Sequence, residues 1–165
     1  MKTEVLIIGA GPAGIFTALE MLRYGSKKKI TIIEKGYAIE KRSCPKTKTK
    51  MCVGCKPCNI TTGFSGAGAF SDGKLSLSYE VGGDLPTLIG LENAQSLIDY
   101  TDKIYLEFGA DTHIEGLNNT DEIKEIRKRA IQAGLRLVDC PIRHMGTEKA
   151  QGIYLSIEKY LISHG

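Results

Sequence analysis

The feature that most constrains this chain is a short apolar segment that breaks into a glycine-rich turn. Val5-Leu6-Ile7-Ile8 is a continuous apolar run, which is typical of a strand buried on both faces in a parallel sheet. The turn occupies residues 9–14, and apolar residues then recur at spacings of three and four from Ile15 to Leu22. The sequence therefore predicts a strand, a tight turn and a helix.

Each glycine of the turn has its own expected role. Gly9 permits the tight turn, Gly11 lets a phosphate approach the backbone with no Cβ in the way, and Gly14 lets the helix lie close to the strand. Pro12 suits the first helical turn, where its missing N–H is not needed. The remaining N–H groups and the positive end of the helix dipole favour a pyrophosphate at this turn.

An acidic residue follows the next predicted strand. The run Ile30-Thr31-Ile32-Ile33 ends at Glu34, twenty residues after Gly14. A dinucleotide-binding fold places a carboxylate there to accept hydrogen bonds from a ribose, and that carboxylate disfavours the 2′-phosphate of NADP. The sequence thus predicts an α/β fold with a Rossmann-like parallel sheet. The alternative is a β-α-β unit whose glycines serve packing alone, with Glu34 in solvent.

Composition excludes several other classes. The 165 residues carry a formal net charge of +3, which is too small to indicate a polyanionic partner. No segment is long and apolar enough for a membrane span, and the N-terminal apolar run of four residues is too short for a signal peptide. We therefore expect a cytoplasmic protein without a membrane partner. Five cysteines in such a protein favour metal, redox chemistry or buried thiols over disulfides.

A basic, cysteine-rich stretch follows the predicted dinucleotide unit. Residues 41–71 include no acidic residue, six basic ones and four of the five cysteines, at positions 44, 52, 55 and 58. Cys52, Cys55 and Cys58 have the spacing that begins a ferredoxin-type cluster motif, with Cys44 or Cys140 as a fourth ligand. Zinc also suits four thiolates, and buried or redox-active thiols are the third alternative. The sequence leaves this choice open, so no metal ligand is assigned.

A second glycine-rich loop comes next. It reads Gly-Phe-Ser-Gly-Ala-Gly-Ala-Phe-Ser-Asp-Gly-Lys over residues 63–74. Its glycines let backbone N–H groups approach an anion or a ring edge, and Ser65, Ser71 and Lys74 could add donors. Neither this loop nor the cysteine-rich stretch has helical or alternating periodicity, so both are predicted to be ordered loops. The alternative for residues 63–74 is a surface turn rich in small residues.

These motifs together resemble the N-terminal part of bacterial FAD-dependent dehydrogenases, which are mostly uncharacterised flavoproteins with a glutathione-reductase-like FAD fold. The resemblance rests on the residues at 9–14 and 34–36, the Cys/Pro stretch and the loop at 66–75, and it extends through residues 141–147. It implies FAD, with the first loop on the pyrophosphate, Glu34 on the ribose and the second loop near the pyrophosphate or flavin. Members of this family are considerably longer, so the resemblance implies an N-terminal fragment. Because the sequence supplies few predicted strands and no second dinucleotide fingerprint, we expect this chain to be inactive by itself.

The predicted cofactor-binding residues lie in the two glycine-rich loops and at the end of the second strand. They are Gly9, Gly11, Pro12, Ala13, Gly14, Glu34, Lys35, Gly66, Gly68, Ser71, Asp72, Gly73 and Lys74. The sequence indicates no catalytic residue; a small-molecule substrate and a nicotinamide or other electron donor or acceptor are the expected partners of an FAD oxidoreductase. One alternative is a flavoprotein that contacts RNA through the basic stretch, which the absence of aromatic residues among its lysines disfavours. The other is a nucleotide-binding module without catalysis.

The remainder of the chain has conventional patterns. Within one FAD-binding domain over 1–165, they divide it into a βαβ unit at 1–40, loops at 41–83, a helical insertion at 84–133 and a strand-helix return at 134–165. Helices are predicted over 91–108 and 120–134, a strand at Leu135-Arg136-Leu137-Val138, and a last helix that Thr147 caps and that runs to about Ser163. Arg143 and His144 then lie between strand and helix, where they either contact the cofactor or face solvent.

Overall fold

The structure, a computed structural model, describes residues 2–117 and 120–165. This mixed α/β chain has the following elements in order: β1 (Val5–Ile8), α1 (Pro12–Arg23), β2 (Ile30–Ile33), α2 (Lys46–Thr49), β3 (Lys74–Ser76), α3 (Leu85–Ile89), α4 (Leu91–Glu107), α5 (Asp121–Gln132), β4 (Ile142–His144) and α6 (Gly146–Ser163). Short 3₁₀ turns lie at Ile39–Lys41 and Gly68–Phe70. The chain divides into two compact units, Met1–Gly73 with Gly146–Gly165, and Lys74–Met145. Within the described part, no helix is both long and apolar enough to cross a membrane.

The first unit begins with the predicted strand, turn, helix and strand, which the structure confirms. β1 and β2 pair in parallel, with Val5 opposite Ile30 and Ile8 opposite Ile33. Helix α1 connects the two strands. Its apolar side packs into the core, where Ile15 is buried. The core of this unit combines α1 and α6 with the loops between them, through the buried side chains of Ala10, Ile15, Ala18, Leu19, Ile39, Phe64, Ala69, Ala150, Ile153, Tyr154 and Ile157.

The prediction that β1 is buried on both faces is wrong for this structure. Leu6 is 54% exposed and Ile8 is 83% exposed, whereas Ile7 on the opposite face is half-buried. The Ile7 face lies toward α1, because an added Cβ at Gly14 of that helix would be 3.1 Å from Ile7 Cγ2. The strand is therefore apolar on two faces but covered on one by the residues that the structure describes.

The predicted cap of the last helix is also wrong. α6 begins at Gly146, and the hydroxyl of Thr147 donates to the carbonyl oxygen of Ser71 at 2.9 Å. The side chain that the local pattern assigned to the helix end therefore makes a bond across 76 residues of sequence, which no local pattern reveals.

The described residues of the second unit form a small antiparallel sheet and three helices. β3 pairs with β4, with Leu75 opposite Arg143. The helices predicted over 91–108 and 120–134 are confirmed as α4 and α5. The hydroxyl of Thr120 accepts the N–H of Ile123 at 3.3 Å, as expected of a helix N-cap.

The strand predicted at 135–138 is wrong. These residues form no strand, and Leu135 is 66% exposed. The strand of this region is β4, which lies further along the chain and is only three residues long. Such a short strand depends on its partner rather than on its own apolar pattern. Here the partner is β3, and the Leu77 N–H extends the pairing by donating to the Pro141 carbonyl oxygen at 2.8 Å.

Arg143 lies neither in solvent nor in a loop available to a cofactor, and both predictions for it are wrong. It is 2% exposed, and its Nε and Nη2 donate to the two carboxylate oxygens of Asp102 at 2.5 and 2.6 Å. Its Nη1 donates to the carbonyl oxygen of Asp111 at 2.5 Å. A bidentate pair of this kind fixes both position and orientation, so Arg143 holds β4 against α4. The neighbouring His144 is exposed.

Candidate functional site

The glycine turn between β1 and α1 brings strand and helix very close together. Gly9 has a φ of +98°, and its N–H donates to the Ile33 carbonyl oxygen at 2.7 Å. A Cβ at Gly14 would lie 2.1 Å from the carbonyl oxygen of Gly9, so only glycine allows this approach. Gly11 differs, because its φ is −74° and no described residue has an atom within 4 Å of an added Cβ. The described part of the chain therefore leaves open the space next to Gly11.

The N-terminus of α1 presents backbone donors to a ligand. Gly11 is the N-cap and has no side chain to accept a hydrogen bond, and Pro12 has no N–H. The first helical bond runs from the Ile15 N–H to the Gly11 carbonyl oxygen at 3.0 Å, so the N–H groups of Ala13 and Gly14 precede the helical ladder. Together with the helix dipole, these donors suit a pyrophosphate.

Glu34 follows β2 and is held by backbone N–H groups from three segments. Its Oε2 accepts from Ala10 at 2.9 Å, and its Oε1 accepts from Gly36 at 2.8 Å and from Gly63 at 3.0 Å. Partial burial raises the pKa of the carboxyl, but the backbone hydrogen bonds outweigh burial and hold that pKa below its usual value. The carboxylate therefore ties the first turn to the second glycine-rich loop. The sequence predicted a ribose acceptor but did not reveal this structural role.

The second glycine-rich loop begins directly against the first one. The Ser65 N–H donates to the Ala10 carbonyl oxygen at 2.7 Å. An added Cβ at Gly66 would lie 3.6 Å from the Cα of Gly11. The structure thus brings together the turn at 9–14, Glu34 and the start of the second loop, all of which the sequence assigned to one cofactor.

The later residues of the second loop lie against α6. An added Cβ at Gly68 would be 2.6 Å from the hydroxyl of Tyr154, and one at Gly73 would be 2.6 Å from the carbonyl oxygen of Gly146. Ser71 is exposed and accepts the Gly73 N–H through its hydroxyl at 3.2 Å. The remaining predicted residues, Lys35, Asp72 and Lys74, have exposed side chains, and Lys74 is the first residue of β3 in the second unit.

Arg42 is an important residue of this region that the sequence did not single out. The side chain is buried, at 5% exposure, and stacks 4.2 Å from the centroid of the Phe70 ring. Its guanidinium donates to the carbonyl oxygens of Asn59 at 2.8 Å, Ile60 at 2.7 Å, Phe64 at 2.6 Å and Gly66 at 2.7 Å. Burial lowers the pKa of this guanidinium, and the negative charge of Glu34 opposes that effect. Arg42 is the only arginine among the six basic residues of 41–71, but no local pattern indicates that its side chain is buried.

The cysteines do not form a metal site in this structure. Among residues 2–117 and 120–165, no group of three or more His, Cys, Asp or Glu side chains is placed to hold a metal ion. Cys140 lies in the second unit, where its Sγ is 3.5 Å from the Ser76 hydroxyl. All five cysteines are free thiols, with Cys52 and Cys58 exposed. The cluster alternative therefore has no support from the described residues.

A cavity of about 430 Å³ opens beside Glu34. Its lining is mainly apolar and includes Ala10, Phe64 and residues of α1, β2 and α6. Glu158 also lines it, and the Oε2 of this residue is buried without a hydrogen-bond partner among the described residues. Burial and the charge of Glu40 raise the pKa of Glu158. An apolar cavity with a few polar groups is typical of cofactor sites.

Comparison with known proteins identifies the cofactor. Residues 2–49 match the family model of an FAD binding domain. The chain is also 40% identical over 79 residues to an uncharacterized protein of Clostridium beijerinckii, and the matched part is 46% of this chain and 14% of that relative. The prediction of FAD is confirmed, and the protein is a flavoprotein. The donors at the N-terminus of α1 and the Glu34 carboxylate fit the pyrophosphate and ribose of this cofactor.

We expect Arg42→Lys to lower the free energy of unfolding by about 2–4 kcal/mol. Buried carbonyl oxygens lose a charge-assisted donor, and a lysine ammonium cannot replace a planar guanidinium that reaches several acceptors. Denaturant unfolding followed by circular dichroism measures this change. Lys41→Met, at the adjacent exposed position, is the control and should change stability by less than about 0.5 kcal/mol. Equal stability of Arg42→Lys and wild type would contradict the role assigned to Arg42.

We expect the stabilising effect of Glu34 to depend on pH. Its pKa is lower in the folded chain than the usual value of 4.5, so its contribution is fully present above that value and is lost as the pH falls through the folded pKa. Wild type should therefore be more stable than Glu34→Gln at pH 7, and the difference should shrink progressively below pH 4.5. Unfolding of both chains at pH 7, 5 and 3 tests this, and a difference independent of pH would contradict it.

Proposed function

We propose that this chain binds the ADP half of FAD through a Rossmann-like unit and belongs to an FAD-dependent oxidoreductase. The observation that carries the proposal is the meeting of three groups in one place: the N-terminus of α1, the Glu34 carboxylate and the backbone at Gly66. Each of these groups suits a different part of a dinucleotide. FAD supplies the redox chemistry when bound, and the protein positions it.

In this proposal the first turn binds the pyrophosphate and Glu34 binds the ribose. The N–H groups of Ala13 and Gly14 donate to the pyrophosphate, and the missing side chain at Gly11 leaves room for it. Glu34 accepts a hydrogen bond from a ribose hydroxyl. A carboxylate has about four acceptor positions, so its three bonds to backbone N–H groups do not exhaust it. These bonds fix the carboxylate before the cofactor arrives.

The second loop contributes in two ways in this proposal. Gly66 lies beside Gly11 and approaches the pyrophosphate. Gly68 and Gly73 act indirectly. Gly68 lies against Tyr154 of α6 and Gly73 lies against Gly146, the first residue of that helix, and these close approaches hold the loop in position. Direct contacts from Ser71, Asp72 and Lys74 to the flavin remain part of the proposal on the strength of the sequence resemblance.

We expect Gly11→Val to abolish FAD binding and to leave the fold intact. The φ of −74° suits valine, and nothing lies within 4 Å of the added Cβ, so the branched side chain fills only the space that the pyrophosphate needs. The matched control is Gly14→Ala, whose Cβ would lie 2.1 Å from the Gly9 carbonyl oxygen. It should destabilise the fold by about 1–3 kcal/mol.

Titration with FAD, followed by quenching of flavin fluorescence, measures binding, and thermal unfolding measures stability. Stoichiometric FAD on a folded Gly11→Val chain would contradict the placement of the cofactor. A Gly11→Val chain that is unfolded would contradict the claim that the space at Gly11 is reserved for a ligand.

We expect the chain by itself not to oxidise NADH or NADPH faster than free FAD does. The sequence contains one dinucleotide fingerprint, at residues 9–34, and the proposal assigns it to FAD. An anaerobic absorbance assay with each nicotinamide follows the reduction of the flavin. Reduction well above the rate of free FAD would place a donor site within these 165 residues and contradict this part of the proposal.

A further inference from the structure

We propose that Cys55 and Cys58 form a redox-active dithiol that exchanges with small disulfides. The two cysteines belong to the segment Cys55-Lys56-Pro57-Cys58, which has the spacing of reactive dithiols. The proposal concerns this segment of the first unit and does not depend on the FAD site.

The backbone that follows Cys58 is firmly held, whereas its side chain is accessible. The carbonyl oxygen of Cys58 accepts the N–H groups of Thr61 at 3.3 Å and Thr62 at 2.9 Å. Arg42 donates to the carbonyl oxygens of the two residues directly after Cys58, Asn59 and Ile60. The Cys58 side chain is exposed, so an incoming disulfide can reach a thiol that the fold holds in place.

The surroundings of the Cys58 sulfur favour the thiolate. The backbone N–H groups of Ile60 and Thr61 and the hydroxyl of Thr61 donate to it, and they lower its pKa. Burial opposes these donors, and the positive charge of Arg42 adds to their effect, so the pKa of Cys58 lies below its usual value. Residues 41–71 also contain no acidic side chain. Because the thiolate is the nucleophile in exchange, Cys58 is the attacking residue.

Cys55 is the resolving residue. It is partly buried and precedes Cys58 by three positions. Of the other cysteines, Cys52 is exposed and has the same spacing from Cys55, Cys44 is partly buried, and Cys140 lies in the second unit. Cys58 is distinguished from Cys52 by the hydrogen bonds that hold the backbone at and after it.

The reaction is thiol–disulfide exchange in two steps. The Cys58 thiolate attacks one sulfur of a disulfide RS–SR, whose S–S bond breaks, and the departing RS⁻ takes a proton from solvent. Cys55 loses its proton to solvent, and its thiolate attacks the Cys58 sulfur and expels the second RS⁻. The protein loses two electrons as its dithiol becomes a disulfide, and the small disulfide gains them as it becomes two thiols.

Counting thiols after treatment with glutathione disulfide tests the proposal. The chain has five free thiols, and because one disulfide consumes two, we expect three to remain. Cys55→Ser should lose one of its four thiols and carry glutathione on Cys58, which peptide mass spectrometry locates. Cys58→Ser should keep all four. Cys52→Ser and Cys140→Ser are the matched controls, and each should fall from four thiols to two.

Two results would overturn the proposal. One is loss of two thiols in Cys58→Ser, or no loss in Cys52→Ser, because the reactive pair would then be a different one. The other is tightly bound zinc or iron near one per chain with thiols that do not react, because the cysteines would then be metal ligands. The measurement is made with and without FAD, so a failure of FAD binding does not alter its outcome.

Discussion

The loops of the first unit depend on the hydrogen bonds that the buried guanidinium of Arg42 donates to their carbonyl oxygens. Residues 41–71 contain little regular secondary structure, so their carbonyl oxygens need donors from elsewhere once they are buried. Arg42 supplies them to four carbonyl groups between residues 59 and 66. Its planar fork of five N–H donors suits several acceptors at once. One side chain thereby orders a loop that has no strand or helix to order it.

Glu34 complements Arg42 on the same loop. Arg42 donates to backbone carbonyl groups, and Glu34 accepts from backbone N–H groups, including that of Gly63 next to the Phe64 carbonyl that Arg42 binds. The two side chains also attract each other electrostatically. Because both act through the backbone, the second glycine-rich loop is held against the first turn with no need for bulky side chains. This leaves room for a cofactor that must approach the backbone closely.

Local patterns succeeded for helices α1, α4 and α5, because the bonds that define a helix are themselves local. They also succeeded for strands β1 and β2, whose continuous apolar runs indicate strands although their pairing joins residues that are distant in sequence. Local patterns failed where a distant partner decides the outcome. Thr147 resembles a cap but bonds to Ser71. Residues 135–138 resemble a strand but pair with no strand among the described residues, whereas Ile142–His144 pairs with β3.

The sequence by itself determined the strand-turn-helix-strand unit and the position of Glu34, and its resemblance to known flavoproteins implied FAD as the cofactor. Only the tertiary structure decided that Glu34 binds the Gly63 N–H, that Arg42 is buried among carbonyl groups and that Arg143 pairs with Asp102. The physical reason is the distance along the chain. A charged side chain is placed by the groups around it, and for these residues those groups lie between 17 and 41 positions away in sequence. No spacing rule within a helix, strand or turn reaches that far.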